Sequence, residues 1–431
     1  MSHRLFLGAA LWAAALGGAV PAPAAAAAVT TSDRMPAASA VARFYEARQQ
    51  PLWLSSPDAV RALLDALRTA DVDGLDEGPE LAATIERVLG EAQAGMPGAA
   101  REAERLMSNA FVLHAQALKW PGRAHMIYAD ASLAPRVPTP AELLEAAAAA
   151  PDLADHVRRT VAVNPIHAAL RDAAIRDMRL LGTPPTALRA SLERSRLLPS
   201  GGRFVLVDIA SQQLMMIEDG EVVDRMKVVV GKPEMKTPLL AGTLRQVTFN
   251  PYWNVPVDLA ATNIARNVLN HGLGWLRARK YEVLSGWDAN ASVVDPASID
   301  WQAVADGRAE ARVRQRPGPG NSMGDMKFEF PNDLGIYLHD TPDRALFAEA
   351  ERTFSSGCVR LEDAARLGRW LLGREPRAST SAPEYQVALP RPVPVFLTYL
   401  TVRPNADGSL AYAPDVYGLD TPAEAQLAAA H

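Results

Sequence analysis

Phe204-Val205-Leu206-Val207-Asp208-Ile209, followed by Leu214-Met215-Met216-Ile217 and Glu218-Asp219-Gly220-Glu221, is where the chain changes character. The first two runs are short, apolar and rich in residues that favour extended backbone, which predicts strands. Asp219-Gly220 tolerates the positive φ of a tight hairpin into Val222-Val223. Met226 to Val230 continues the meander, and Gly231-Lys232-Pro233 breaks it. Further strands are predicted at Thr243 to Asn250, Asp325 to Phe330 and Gly335 to Leu338, with a final pair at Tyr385 to Leu389 and Val393 to Val402. One helix is expected from Leu361 to Leu372.

Upstream of this stretch the apolar period is helical. Pro57-Asp58 opens a helix carrying Val60, Leu63, Leu64 and Leu67, and Ala99 to Lys119 carries Leu106, Ala110, Leu113 and Ala117. Thr139-Pro140-Ala141-Glu142 has the form of a capping box with proline at the first helical position. Val161 to Leu181 is predicted as another helix, with Pro165 near its start. The fold class is therefore α+β. An all-α scaffold domain over 36–195 precedes a mainly antiparallel β domain over 202–403, and 404–431 reads as a tail. Between Trp253 and Pro317 lies an insertion, 258–316, with helical segments at Ala260–Asn270 and Gly274–Arg279 and with Trp275, Tyr281, Trp287 and Trp301 along it. A long insertion between two strands is a lid or binding element, or else a decoration that only packs.

The first 28 residues read as a secretory signal peptide. Arg4 precedes an apolar run, Leu5 to Val20, that is too short and alanine-rich for a comfortable membrane span, and several Ala-x-Ala sites follow. An uncleaved anchor is the alternative. No cysteine lies near the cleavage site, which excludes a lipoprotein anchor. The mature chain is expected to be exported, with no membrane span after cleavage.

Composition narrows the chemistry. With 44 Lys+Arg against 49 Asp+Glu there is no basic excess, so nucleic acid is not an expected partner. One cysteine and eight histidines show no metal-ligand spacing, and neither a metal nor another cofactor is expected. In an oxidising compartment a lone cysteine cannot form an internal disulfide.

That cysteine is Cys358, in Thr353-Phe354-Ser355-Ser356-Gly357-Cys358-Val359-Arg360-Leu361, 19 positions after His339 in Ile336-Tyr337-Leu338-His339-Asp340-Thr341. A thiol attacks as thiolate and needs a base or cation beside it. His339, at the end of a predicted strand, can be that base if the intervening loop folds back. The alternative is a buried structural cysteine and an unrelated histidine. In the helical half, His114, His125, His156 and His167 are isolated and read as structural or surface residues.

Taken together, Thr237-Pro238, Phe249-Asn250-Pro251-Tyr252-Trp253-Asn254-Val255-Pro256, Arg314-Gln315-Arg316-Pro317-Gly318, Lys327-Phe328-Glu329-Phe330-Pro331-Asn332, Tyr337 to Pro342 and Ser355-Ser356-Gly357-Cys358-Val359-Arg360 resemble an L,D-transpeptidase with a YkuD-like catalytic domain. The resemblance is to the large periplasmic type with a helical scaffold and a substrate-capping insertion. Phe44-Tyr45, Pro51-Leu52-Trp53-Leu54 and Asp73-Gly74-Leu75 resemble its scaffold, and Leu192 to Pro199 the segment leading into the catalytic domain.

The resemblance implies a cysteine acyltransferase of peptidoglycan stem peptides. Cys358 would attack the carbonyl of the third stem residue and expel the terminal D-Ala, and the thioester would pass to another stem as a 3→3 cross-link. His339 would be the base, oriented by the backbone carbonyl of Asp340. Gly357 would let backbone N–H groups approach the oxyanion. Arg360 would meet a stem carboxylate or else form a structural salt bridge. Tyr337, Trp253, Ser355 and Ser356 are placed beside substrate, although the two aromatics would look the same as core residues. Carbapenem-type β-lactams would be inhibitors.

Two departures qualify the match. Many smaller relatives carry histidine at the position of Ser356. Only about 20 residues separate Asp172 from Leu192, which leaves no room for a peptidoglycan-binding module. A hydrolase using the same site and a non-catalytic wall-binding protein are the competing readings.

Overall fold

The computed structural model describes residues 36–48, 50–120, 124–288, 290–405 and 407–421. The leader predicted over 1–28 lies outside the described residues. Among them, no helix is long and apolar enough to cross a membrane.

The helical half contains α1 (Pro36–Ala47), α2 (Pro57–Leu67), α3 (Gly78–Gln93), α4 (Ala99–Lys119), α5 (Pro140–Ala149), α6 (Leu153–Val161), α7 (Pro165–Leu181) and α8 (Thr186–Ser195). Local chemistry sets the starts. The Ser56 side chain accepts from Ala59 N–H, Asn164 accepts from His167 N–H, and the Thr139–Glu142 box closes in both directions. Leu63, Leu67, Ile85, Met107, Phe111 and Leu144 form the shared core.

Two buried carboxylates pin this half together. Glu104 of α4 accepts from the backbone N–H groups of Leu52 (2.9 Å), Trp53 (3.0 Å) and Leu54 (2.6 Å) and from Tyr45 Oη (2.7 Å). Asp73 accepts from His114 Nε2 at 2.9 Å and from Arg171, and those partners hold its pKa at about 2 despite burial. A buried charge is tolerable only when its lone pairs are satisfied in this way.

The strands are β1 (Ile127–Tyr128), β2 (Arg203–Asp208), β3 (Gln213–Glu218), β4 (Glu221–Gly231), β5 (Leu240–Phe249), β6 (Trp253–Asn254), β7 (Tyr281–Leu284), β8 (Val293–Val294), β9 (Arg312–Gln315), β10 (Met326–Glu329), β11 (Leu338–His339), β12 (Thr353–Ser355), β13 (Val359–Leu361), β14 (Tyr385–Thr398), β15 (Val402–Pro404) and β16 (Leu410–Tyr412). The main sheet runs β5-β10-β11-β13-β4-β3-β2-β14, and β14 pairs again with β5, so the sheet closes on itself. Most pairings are antiparallel; β14–β2, β11–β13, β12–β4 and β1–β5 are parallel. The Phe204–Val207 run of β2 is apolar because both its faces are covered. Val205 and Val207 point into the closed sheet, while Phe204 and Leu206 pack outward with Met126, Leu197 and Leu198.

Two expectations are corrected here. The predicted final pair of strands is a single strand, β14, whose register shifts between Ala388 and Val393. Pro390 and Pro392 fall in the shift, where the chain stays extended without needing their missing N–H donors. The segment read as a tail is folded over its described part. β16 pairs with β15, Tyr417 is buried and stacked on Tyr399, and Asp420 meets Arg194 of α8 at 2.7 Å.

The insertion has its own core, built from Val255, Ile264, Val268, Val283, Trp301 and Val313. Its helical segments lie where predicted, with a π-helical stretch at Ala260–Ala265. Its small sheet, in the order β6-β9-β7-β8, was not predicted, because these strands are only two to four residues long.

Candidate active site

β11 and β13 lie side by side and parallel, with Leu338 opposite Val359 and His339 opposite Arg360. Leu338, Val359 and Leu361 are in the core. Since successive side chains alternate, His339, Cys358 and Arg360 are turned to the other face. All three line a cavity of about 820 Å3 that is roofed by the insertion. Trp253, Asp258, Thr262, Asn263, Asn267 and Arg279 come from the insertion and its entry strand, while Lys232, Ser355 and Ser356 come from the sheet side.

His339 is buried, and its Nδ1–H donates to the backbone carbonyl of Asp340 at 2.6 Å. That bond leaves Nε2 as the proton acceptor. Burial pushes the His339 pKa down to about 4. The Arg360 cation adds to the effect, and the Asp340 carbonyl opposes it. Crowding by protein also raises the Cys358 thiol, against the backbone N–H of Tyr337 and the charge of Arg360. Both shifts favour a neutral thiol and a neutral imidazole in the one cavity. The Cys358 thiol donates to Gly335 C=O at 3.5 Å. Such a pair can make thiolate by passing the proton to Nε2 as an electrophile arrives.

The loop before Cys358 is held from within. Ser355 Oγ donates to the Cys358 carbonyl (2.5 Å) and accepts the Gly357 N–H (3.1 Å). Ser355 therefore lines the cavity while its hydroxyl serves the loop, whereas Ser356 is exposed. Gly357 has φ 113°, which disfavours any side chain, and an added Cβ would lie 3.2 Å from Ile336. Asp340 turns its carboxylate away, accepting from Arg344 (2.6 Å) and Asp325 N–H (2.9 Å).

Tyr337 is not in the lining. Its ring lies 5.6 Å from Lys327 Nζ on the same sheet face. Trp253 is in the lining, 6.2 Å from the Tyr281 ring. Among the described residues Arg360 forms no ion pair within 4.0 Å and no side-chain hydrogen bond, so the salt-bridge alternative is not taken up. The polar residues of the π-helical stretch were missed by sequence reading, since Asn and Thr in a helix give no signal of facing a cavity. No group of His, Cys, Asp and Glu among the described residues is placed to hold a metal. A second cavity, about 800 Å3 and set between α2 and α6, has no cysteine or histidine in its lining.

Residues 202–395 match the family model for the L,D-transpeptidase catalytic domain (YkuD), and residues 39–173 that for the Scaffold domain. A Haemophilus influenzae protein named "Putative L,D-transpeptidase" is 34% identical over 240 residues, which are 54% of this chain and 48% of that protein. The chain thus spans about half the length of this curated relative. Among solved structures, an L,D-transpeptidase from Mycobacterium smegmatis is 14% identical, covering 46% of this chain and 60% of that one, with a TM-score of 0.24. L,D-transpeptidase 3 from Mycobacterium tuberculosis, in complex with a faropenem-derived adduct, is 14% identical, covering 46% and 61%, with a TM-score of 0.21. The β half is an L,D-transpeptidase catalytic domain. Residues 202–395 thus belong to the YkuD family, and a Scaffold domain over 39–173 precedes them.

Proposed function

We propose that this protein cross-links peptidoglycan through a cysteine acyl-enzyme. Cys358 Sγ bonds to the carbonyl carbon of the third stem residue, the C–N bond to the terminal D-Ala breaks, and His339 carries the thiol proton to the leaving amine. The side-chain amine of a second stem then attacks the thioester, the S–C bond breaks, and the proton released returns to sulfur. The product is a 3→3 cross-link.

The observation that carries this reading is the cavity. It joins the chain's one thiol and a histidine whose Nε2 is free to accept, and its lining sets Lys232, Arg279 and Arg360 against Asp258. That local cationic excess, in a chain of net charge −5, suits the carboxylates of a stem peptide. The leader read over 1–28 fits export to the periplasm. The same thiol in an acyl-transfer cavity suits attack on the carbonyl of carbapenem-type β-lactams, whose ring C–N bond then breaks.

Muropeptide analysis of sacculi incubated with the protein tests the reading. New 3→3 dimers are expected. Shortened stems without dimers would instead identify the hydrolase, in which water takes the place of the acceptor amine.

A further inference from the structure

The peptide plane between Gly357 and Cys358 has two ends. One is the Cys358 N–H, the donor closest in sequence to the oxyanion that forms when Sγ attacks a carbonyl. The other is the Gly357 carbonyl, and it is held: Thr237 Oγ1 donates to it at 2.7 Å. In a trans peptide the C=O and N–H point in opposite directions, so fixing one end aims the other. Gly357 supplies no restraint of its own, having no side chain and a φ of 113°.

Thr237 is itself fixed from two sides. Its hydroxyl accepts the Gly231 N–H at 2.8 Å, and its own N–H donates to Tyr417 Oη at 3.2 Å. Tyr417 Oη in turn donates to the Gly231 carbonyl. The Tyr417 N–H donates to Tyr399 Oη at 2.9 Å, and Tyr399 Oη donates to Asp415 at 2.8 Å. Thr237 and Tyr417 are buried, and neither lines the cavity. Their contacts do nothing for substrate directly. What they hold is the loop.

We propose that Thr237, braced by Tyr417, is a positioning residue for acyl transfer, setting the Gly357–Cys358 peptide plane so that the Cys358 N–H meets the oxygen under attack. The inference rests on the acyl-transfer reading above. It separates two properties of one thiol. Attack on a carbonyl needs the oriented N–H, whereas displacement of iodide from iodoacetamide builds no oxyanion and does not need it.

The test uses the full chain, with carbapenem acylation followed by intact mass and iodoacetamide alkylation followed in parallel. Thr237→Val keeps the side-chain shape and removes the hydroxyl. It should slow acylation roughly 10–100-fold, with alkylation within about twofold of wild type, and Thr237→Ser should restore most of the loss. Tyr417→Phe should slow acylation by a smaller factor, about 3–10-fold, in the same selective way, and it decides the matter if Thr237→Val does not fold. Acylation of either variant at the wild-type rate overturns the inference. So does an equal loss in both reactions, which would place the effect on the thiol or on the fold. A wild-type chain that is alkylated but never acylated overturns the acyl-transfer reading itself.

Discussion

Leu338 and Val359 are Cα partners in parallel strands, and both side chains enter the core. This one pairing sets His339 and Cys358, 19 residues apart in sequence, on the same face of neighbouring strands, because the residues flanking each leucine or valine must turn to that face together. A register slip of one residue would turn His339 into the apolar core and Leu338 toward the cavity. The geometry of the candidate site is thus tied to the stability of the sheet.

Cys358→Ala is expected to abolish all acyl transfer and all carbapenem adduct formation in a chain that remains folded. Cys358 is the only cysteine, and it is a half-buried residue that does not belong to the apolar core of the sheet. Intact mass and muropeptide profiles read the first outcome, and circular dichroism the second. Product from a folded alanine variant would end the assignment.

His339→Ala should slow carbapenem acylation by roughly 10²–10⁴-fold at neutral pH. The pH profile is the sharper measurement. With its pKa lowered to about 4, His339 is neutral and able to accept a proton from about pH 5 upward, so the wild-type rate should be nearly flat to pH 8 and fall as pH drops through about 4. Without the imidazole, reaction depends on thiolate already present, and the thiol is raised. The variant's rate should therefore climb about tenfold per pH unit over the same range. Parallel profiles for the two proteins would show that His339 is not the base.

The insertion should be removable without destroying the nucleophile. It has a separate core, and Asn254 and Arg314 are Cα partners at its neck. Replacing 255–313 by a short Gly-Ser linker should leave iodoacetamide labelling of Cys358 intact and eliminate cross-linking, since Asn263, Asn267 and Arg279 go with it. Cross-linking at the wild-type rate would reduce the insertion to decoration.

Glu104→Ala should cost about 3–5 kcal/mol of stability, since several buried donors would each lose their acceptor at about 1–3 kcal/mol apiece. Three backbone N–H groups at 52–54 and the Tyr45 hydroxyl would lose their acceptor. Denaturant unfolding measures it. A loss under about 1 kcal/mol would mean that water replaces the carboxylate.

Much of this was legible in the sequence because it rests on local rules. Proline at the first turn and the Thr139–Glu142 box placed helix starts, and the change of period at Phe204 placed the boundary between helix and sheet. That His339 and Cys358 could act together was a chemical reading of the sequence, whereas their place in one cavity was not legible, since register belongs to the whole sheet. Tyr337 shows the limit. Alternation puts it on the same face of the sheet as His339, yet it packs against Lys327 and outside the cavity. Alternation predicts a face, not a neighbour. Phe44-Tyr45, Leu52-Trp53-Leu54 and Asp73 carried a family resemblance with no evident cause. Tyr45 and residues 52–54 gather on Glu104, which the sequence gives no reason to single out, and Asp73 gathers His114 and Arg171.

β1 lies between α4 and α5, yet its backbone belongs to the other half: Ile127 N–H bonds Leu239 C=O at 2.9 Å, and Ala129 N–H bonds Ala241 C=O at 2.8 Å. With Arg194 of α8 clasping Asp420 from the opposite end of the chain, the sequence limits of the two domains are not the limits of their folding. Thermal unfolding should then be a single cooperative event. A chimera that exchanges helical halves between relatives would have to carry the residues around 127 and 415–420 as a matched set. Recombination at residue 202 alone would leave β5 without its added strand and Arg194 without its carboxylate.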